Sequence, residues 1–106
     1  MNGEKPDRRS LKQAARELQE SYKAAFHERG GDLHVSAGWA SDMGARTKSL
    51  ELHAGVEWEA SRVYDHVHAD VHRRHWFSRR WQAVLPLEAA VREIEGTLRE
   101  WLREHP

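Results

Sequence analysis

The chain contains no cysteine among its 106 residues. Disulfide bonds, thiolate nucleophiles and zinc–thiolate sites are therefore excluded. It also has no apolar run close to the ~18 residues that a membrane span requires, and no signal segment at its start. We therefore expect a cytoplasmic protein that has no membrane partner.

The formal net charge is zero, with 17 basic and 17 acidic residues. A dedicated nucleic-acid-binding protein carries a strong basic excess, so this balance disfavours that class. A chain without net charge does little to repel its own copies, which favours self-association. The sequence also lacks the GxSxG, GxxxxGK[ST], GxGxxG and HExxH motifs. We therefore expect a protein that is not an enzyme.

The clearest pattern is an alternation of apolar and other side chains between residues 33 and 60. A period of two indicates a half-buried β-strand, because successive side chains of a strand point to opposite faces. We predict two antiparallel strands with a turn at Ser41–Gly44 and a third strand over 63–71. The alternating apolar positions are Leu33, Val35, Ala37 and Trp39, then Leu50, Leu52, Ala54, Val56, Trp58 and Ala60.

Apolar stripes at helical spacing flank this region. The first predicts a helix over 10–29 that begins with a Ser10–Gln13 capping box, and the second predicts a helix over 86–104. The sequence therefore predicts one α+β domain over 10–106, preceded by a flexible lead-in over 1–9. In this fold a small two- or three-stranded antiparallel sheet packs against the N- and C-terminal helices.

The segment from Thr47 to Ala83 also fits a different structure. Its apolar residues can share one arc of a single long helix, so an all-α fold with a central helix over 47–83 is the alternative. The β-branched residues of 63–71 favour a strand there, followed by a short helix. The alternation over 33–39 has no helical explanation, and we therefore prefer the sheet.

The segment HVHADVHRRH holds half of the eight histidines of the chain. On a helix, most of them would share a face with Asp65 at a spacing that can hold Zn²⁺ or Ni²⁺. On a strand, the first two would point the same way and could meet His34 or His53. A small divalent-metal-binding protein is therefore an alternative function. The candidate metal ligands are His66, His68, His72 and His75.

The overlapping segment HRRHWFSRRW places arginines among aromatic residues. Nucleic-acid surfaces combine these types, and Arg73, Arg74, Arg79 and Arg80 would bind phosphates, although the zero net charge disfavours this use. Tryptophan and arginine are also common interface anchors. We predict a non-catalytic interaction or structural subunit that assembles with itself or with a larger protein. The candidate anchors are Trp58, Trp76, Phe77, Trp81 and Trp101.

The order of elements resembles that of small phage head–tail joining proteins. The similarity consists of a leading helix, a small antiparallel sheet, the strand Tyr64-Asp65-His66-Val67-His68, the pair Trp76-Phe77 and a closing helix. The chain lacks the glycine and the proline that usually accompany these two motifs in that family. The resemblance implies a ring-forming adaptor between capsid and tail.

Overall fold

A computed structural model describes residues 7–106 of the chain. The strands form one antiparallel sheet in the order β1-β2-β3-β4. The predicted α+β class is confirmed, with four strands rather than two or three. The alternative of one helix over 47–83 is wrong. The elements are α1 (Arg8–Glu28), β1 (Gly31–Asp42), β2 (Thr47–Trp58), β3 (Tyr64–His75), β4 (Gln82–Ala83) and α2 (Leu87–Glu104).

The third strand differs most from its prediction. It continues past residue 71 to His75, and the predicted short helix after it does not form. Instead, the chain returns as β4, and the Val84 amide donates to the Val71 carbonyl at 2.9 Å. Backbone pairing at the sheet edge thus outweighs the weak helical pattern of this segment. The first turn lies at 43–46 rather than at Ser41–Gly44, because β1 and β2 are longer than predicted.

Both helices form close to their predicted ranges. The N-cap of α1 is Asp7 rather than Ser10, because the Ser10 amide donates to Asp7 Oδ1 at 3.1 Å. Gly30 follows α1 with a φ of 74°, a conformation that glycine adopts without strain. Of the predicted lead-in, 8–9 belong to α1 and 1–6 lie outside the described residues. Neither helix is long and apolar enough to cross a membrane.

The core lies between the two helices and one face of the sheet. Trp58 and Trp101 belong to this core, although both were predicted as interface anchors. The Trp58 ring stacks on His105 with centroids 3.7 Å apart, and its Nε1 donates to Asp65 at 2.8 Å. These contacts occupy the ring and remove it from the surface of the chain. The largest fully buried side chains are Phe26, Leu11, Leu50, Leu52, Ile94, Leu98 and Val56.

Candidate functional sites: two charged ends and a polar sheet face

One end of the sheet combines exposed apolar side chains with arginines. Its turn 43–46 and loop 76–81 meet because the Trp76 amide donates to the Arg46 carbonyl at 2.9 Å. Trp76 Nε1 also donates to the Thr47 carbonyl at 3.0 Å. These bonds hold Phe77 in place with 79% of its surface exposed, while Met43 of the turn is 78% exposed. We call 43–46 and 76–81 together the basic end.

The charges of the basic end are of one sign. Its two segments contain three arginines, Arg46, Arg79 and Arg80, and no acidic residue. All three are exposed, and none forms an ion pair with another residue of the described range 7–106. Asp42, the last residue of β1, accepts from the Ala45 amide of the turn, so this end presents three arginines beside one carboxylate and has a net positive charge.

Two tryptophans in contact, with ring planes tilted by 36°, support the basic end from the helix side of the sheet. The rings of Trp39 and Trp81 lie 5.1 Å apart. Lys48 lies 5.0 Å above Trp39, and the Arg74 guanidinium lies 5.2 Å above Trp81. Arg74 also donates to the Ser78 carbonyl at 3.0 Å. Trp81 and Arg74 therefore help to hold the loop in position, and Trp81 stays partly exposed.

The opposite end of the sheet carries acidic residues beside other exposed apolar side chains. Asp32 lies opposite Glu57 in the β1–β2 register, and the Glu59 amide donates to the Gly30 carbonyl at 3.0 Å. We call Asp32, Glu57 and Glu59 the acidic strip. All three are exposed, and none pairs with a lysine or arginine among the residues that the structure describes.

Apolar surface adjoins the acidic strip. Val63, in the turn between β2 and β3, is 49% exposed, and Tyr64, the first residue of β3, is 63% exposed. A cleft of about 290 Å³ lies at the same end of the sheet, lined by Asp32 and Glu59 with His27 and the two glycines 30–31. Arg29 and Arg62 lie in the same region and carry positive charge. The negative charge is therefore confined to the three carboxylates of the acidic strip and does not extend over the whole end. The longest dimension of the molecule is 45 Å, and three strands of 12 residues separate the two ends.

The four arginines predicted to bind phosphates do not form one surface. Arg73 faces the side of the sheet without helices, where it donates to Asp70. Arg74, the next residue along the strand, lies over Trp81 on the helix side. Arg79 and Arg80 belong to the loop at the basic end. Arg73 and Arg74 are consecutive residues of β3 beyond its register shift, so they point to opposite faces of the sheet.

The structure divides the four histidines predicted as metal ligands between three places. His66 and His68 lie together on the face without helices, which we call the polar face. His72 pairs with Leu50 and lines a pocket beside Leu11 on the helix side, and His75 contacts Phe77 with ring centroids 5.4 Å apart. The prediction that these histidines share one face of a helix is therefore wrong, because the segment is a strand.

The prediction that His66 and His68, if they lie on a strand, point the same way and meet His53 is confirmed on the polar face. His53 Nδ1 lies 3.4 Å from His66 Nε2, and the rings of His53 and His68 are 6.2 Å apart. His34 does not join them and instead lies 3.2 Å from Asp32. The polar face therefore brings together three histidines from two adjacent strands.

Two carboxylates complete this cluster, and neither was predicted as a site residue. Glu51 pairs with Asp70 across β2 and β3, next to a bulge between Leu50 and Glu51. Only 4% of the surface of Glu51 is exposed, and its Oε1 lies 2.8 Å from His53 Nε2. The donor atoms of Glu51, His68 and Asp70 lie within 4.8 Å of one another. The alternation placed Glu51 on this face, but the sequence does not show which β3 residue lies opposite.

The two carboxyl groups shift each other's pKa because they are close together and largely buried. Burial raises the pKa of Glu51 to about 8, and the neighbouring Asp70 adds to this shift. Burial also acts to raise the pKa of Asp70, but hydrogen bonds from Glu51 and Arg73 outweigh it and place that pKa below its usual value. Burial, with the charges of His66 and His68, lowers the pKa of His53. Near neutral pH, Glu51 is therefore the protonated partner.

Comparison with known proteins finds no family model, no curated protein and no solved structure that matches this chain. Its function is therefore inferred from the two ends and the polar face.

Proposed function

We propose that this protein is a non-catalytic structural subunit of the cytoplasm that assembles head to tail with copies of itself. In this assembly the basic end of one copy contacts the acidic strip of the next. The observation that carries the proposal is that apolar side chains are exposed at both ends of an elongated molecule whose ends differ in charge. Two ends of this kind are complementary to each other.

Phe77 is the expected anchor of the contact. Large aromatic side chains bury much apolar surface, and they dominate the energy of many interfaces. The hydrogen bonds of the Trp76 amide and Nε1 already fix the loop, so less conformational freedom remains to be lost on association. On the receiving end, Val63 and Tyr64 offer exposed apolar surface for the Phe77 ring.

The charges select the orientation of the contact. Contact between two basic ends would bring Arg79 and Arg80 against their own copies, and like charges at an interface are unfavourable. Contact between opposite ends pairs these arginines with Glu57 and Glu59. The acid-lined cleft beside Asp32 also offers two carboxylates to a guanidinium, which binds such groups strongly.

A head-to-tail contact uses two different surfaces and therefore leaves one free surface on every terminal copy. Such contacts form closed rings when the rotation between copies closes, and filaments when it does not. A ring would agree with the phage adaptors that the order of elements resembles. A chain that stays monomeric and instead binds a larger protein through its basic end would contradict head-to-tail assembly.

Reversal of the charges at each end tests the proposal. We expect the wild-type mass, measured by light scattering during gel filtration, to rise with concentration and to fall at high salt. Two double variants, Arg79→Glu/Arg80→Glu and Glu57→Lys/Glu59→Lys, should each be monomeric. Their mixture should assemble again, because each reversed end then meets a complementary end of the other variant.

The matched control reverses two exposed charges in the helices, Arg16→Glu and Arg92→Glu, away from both ends. This double variant should assemble like the wild type. A wild type that remains monomeric at every concentration contradicts the proposal. Charge-reversed variants that assemble normally when alone, or that fail to assemble when mixed, contradict it as well.

A further inference from the structure

We infer that the polar face contains a binding site for a divalent transition-metal ion, formed by Glu51, His68 and Asp70. Their donor atoms already lie within 4.8 Å of one another. Around tetrahedral Zn²⁺, ligand distances of about 2.0–2.2 Å place the donor atoms about 3.3–3.6 Å apart. The three donor atoms therefore have to approach one another by no more than about 1.5 Å to bind one ion. This site does not depend on the proposed assembly.

The Oδ1 atom of Asp70 offers a position for a cation. Asp70 Oδ2 accepts from Arg73, whereas Oδ1 is shielded from solvent and, once Glu51 has lost its proton, has no hydrogen-bond partner within residues 7–106. Buried carboxylate oxygens are rarely left without a partner, because the loss of hydration is costly. A metal ion bound at Oδ1 would take the place of the Glu51 proton and leave the Arg73 interaction intact.

Neighbouring side chains hold both carboxylates in position. His53 Nε2 lies 2.8 Å from Glu51 Oε1, and Arg73 fixes the other oxygen of Asp70. Partners of this kind orient metal ligands and are a regular feature of metal sites in proteins. The cluster also lines a pocket of about 400 Å³ together with Ser49 and Thr47. This pocket leaves room for water molecules to complete the coordination of the ion.

The mixture of donors indicates the class of metal. Mg²⁺ and Ca²⁺ prefer sites made entirely of oxygen, whereas one imidazole with two carboxylates suits Zn²⁺ and similar transition-metal ions. Only His68 is common to this set and to the ligands predicted from the sequence. His66 lies on the same strand and face but contacts His53 instead, so it provides a matched control.

Calorimetric titration of the metal-free protein with Zn²⁺ tests the site. We expect saturable binding of one ion by the wild type and no comparable binding of Mg²⁺. His68→Ala and Glu51→Gln should each weaken Zn²⁺ binding about tenfold or more, since even the loss of an outer partner has an effect of that size. His68 is exposed and Glu51→Gln keeps the shape of the side chain, so both variants should fold.

The controls are His66→Ala and His75→Ala, which should change the affinity for Zn²⁺ less than about threefold. In NMR spectra, Zn²⁺ should shift the imidazole signals of His68 more than those of His66. The absence of Zn²⁺ binding would overturn the inference, as would unchanged affinity in His68→Ala. An effect of His66→Ala as large as that of His68→Ala would place the ion on the histidines instead, and would also overturn it.

Discussion

The two faces of β2 lose contact with water in different ways. On the helix side, Leu52 and Val56 are fully covered by apolar side chains. On the polar face no helix is present, yet Glu51 and Ser49 are also buried, whereas Glu57 near the end of the strand is exposed. Long polar side chains of the neighbouring strand cover the middle of β2. Burial in this sheet therefore depends on strand order as well as on the helices.

The largest expected effect on the free energy of unfolding comes from a substitution on the helix side of the sheet. Leu52→Ala should lower the free energy of unfolding by about 2–5 kcal/mol, because it removes buried methyl groups and leaves a cavity. Glu57→Ala on the exposed part of the polar face should change it by about 0.5 kcal/mol or less. Urea denaturation followed by tryptophan fluorescence measures both. Equal effects would mean that the two faces do not differ in packing.

The next largest effect is the pH dependence of stability that the buried Glu51 of the polar face should cause. The pKa of Glu51 is about 8 in the folded chain and 4.5 ordinarily. Between these values the unfolded chain has lost this proton while the folded chain retains it. The contribution of Glu51 to stability should therefore fall as pH rises from about 4.5 to about 8, and then level off. Glu51→Gln cannot ionise, so its stability relative to the wild type should rise over this range.

The comparison between wild type and variant isolates Glu51 from its titrating neighbours. His53, whose pKa is lowered, contributes stability that is lost as pH falls through its ordinary value of 6.5, which is the opposite dependence. The His53 contribution is present in both proteins, and Asp70, whose pKa lies below its ordinary value of 3.8, titrates below the pH range of the measurement. The measurement is urea denaturation of the metal-free proteins at pH 5, 7 and 9. A constant difference across these values would show that Glu51 is not protonated in the folded chain.

The sequence predicted the helix side of the sheet better than the polar face. Alternation alone identifies Leu52 and Val56 as buried, because an apolar residue on a half-buried strand faces the core. The burial of Glu51 depends on its position opposite Asp70, and a bulge sets this register. The proximity of His53 to His66 followed from the strand interpretation. The exposure of Phe77 could not be predicted from the sequence, because it results from the loop that forms in place of the predicted short helix.

A smaller effect is expected at the outer edge of β1, where α1 supplies a polar contact. Gln19 Nε2 donates to the Leu33 carbonyl at 2.9 Å, and the Val35 amide donates to Gln19 Oε1 at 2.8 Å. One amide side chain thus satisfies both backbone groups, as a neighbouring strand would. Gln19→Ala should lower stability by about 1–2 kcal/mol and speed hydrogen exchange of the Val35 amide. The exposed Gln13→Ala is the control, and equal exchange in both variants would contradict this role.

The smallest effect comes from adding a methyl group to the polar face at Gly55. A Cβ there would meet the Tyr64 hydroxyl, which is the far end of a side chain that is 63% exposed and free to rotate away. Gly55→Ala should therefore lower stability by less than about 1 kcal/mol, and adding Tyr64→Ala should remove the difference. The neighbouring Ala54 is fully buried on the helix side, so Ala54→Val should cost about 1–3 kcal/mol by overpacking. If Gly55→Ala were instead as costly as Ala54→Val, the ring of Tyr64 would be held as firmly as the core, and the polar face would be as rigid as the face that the helices cover.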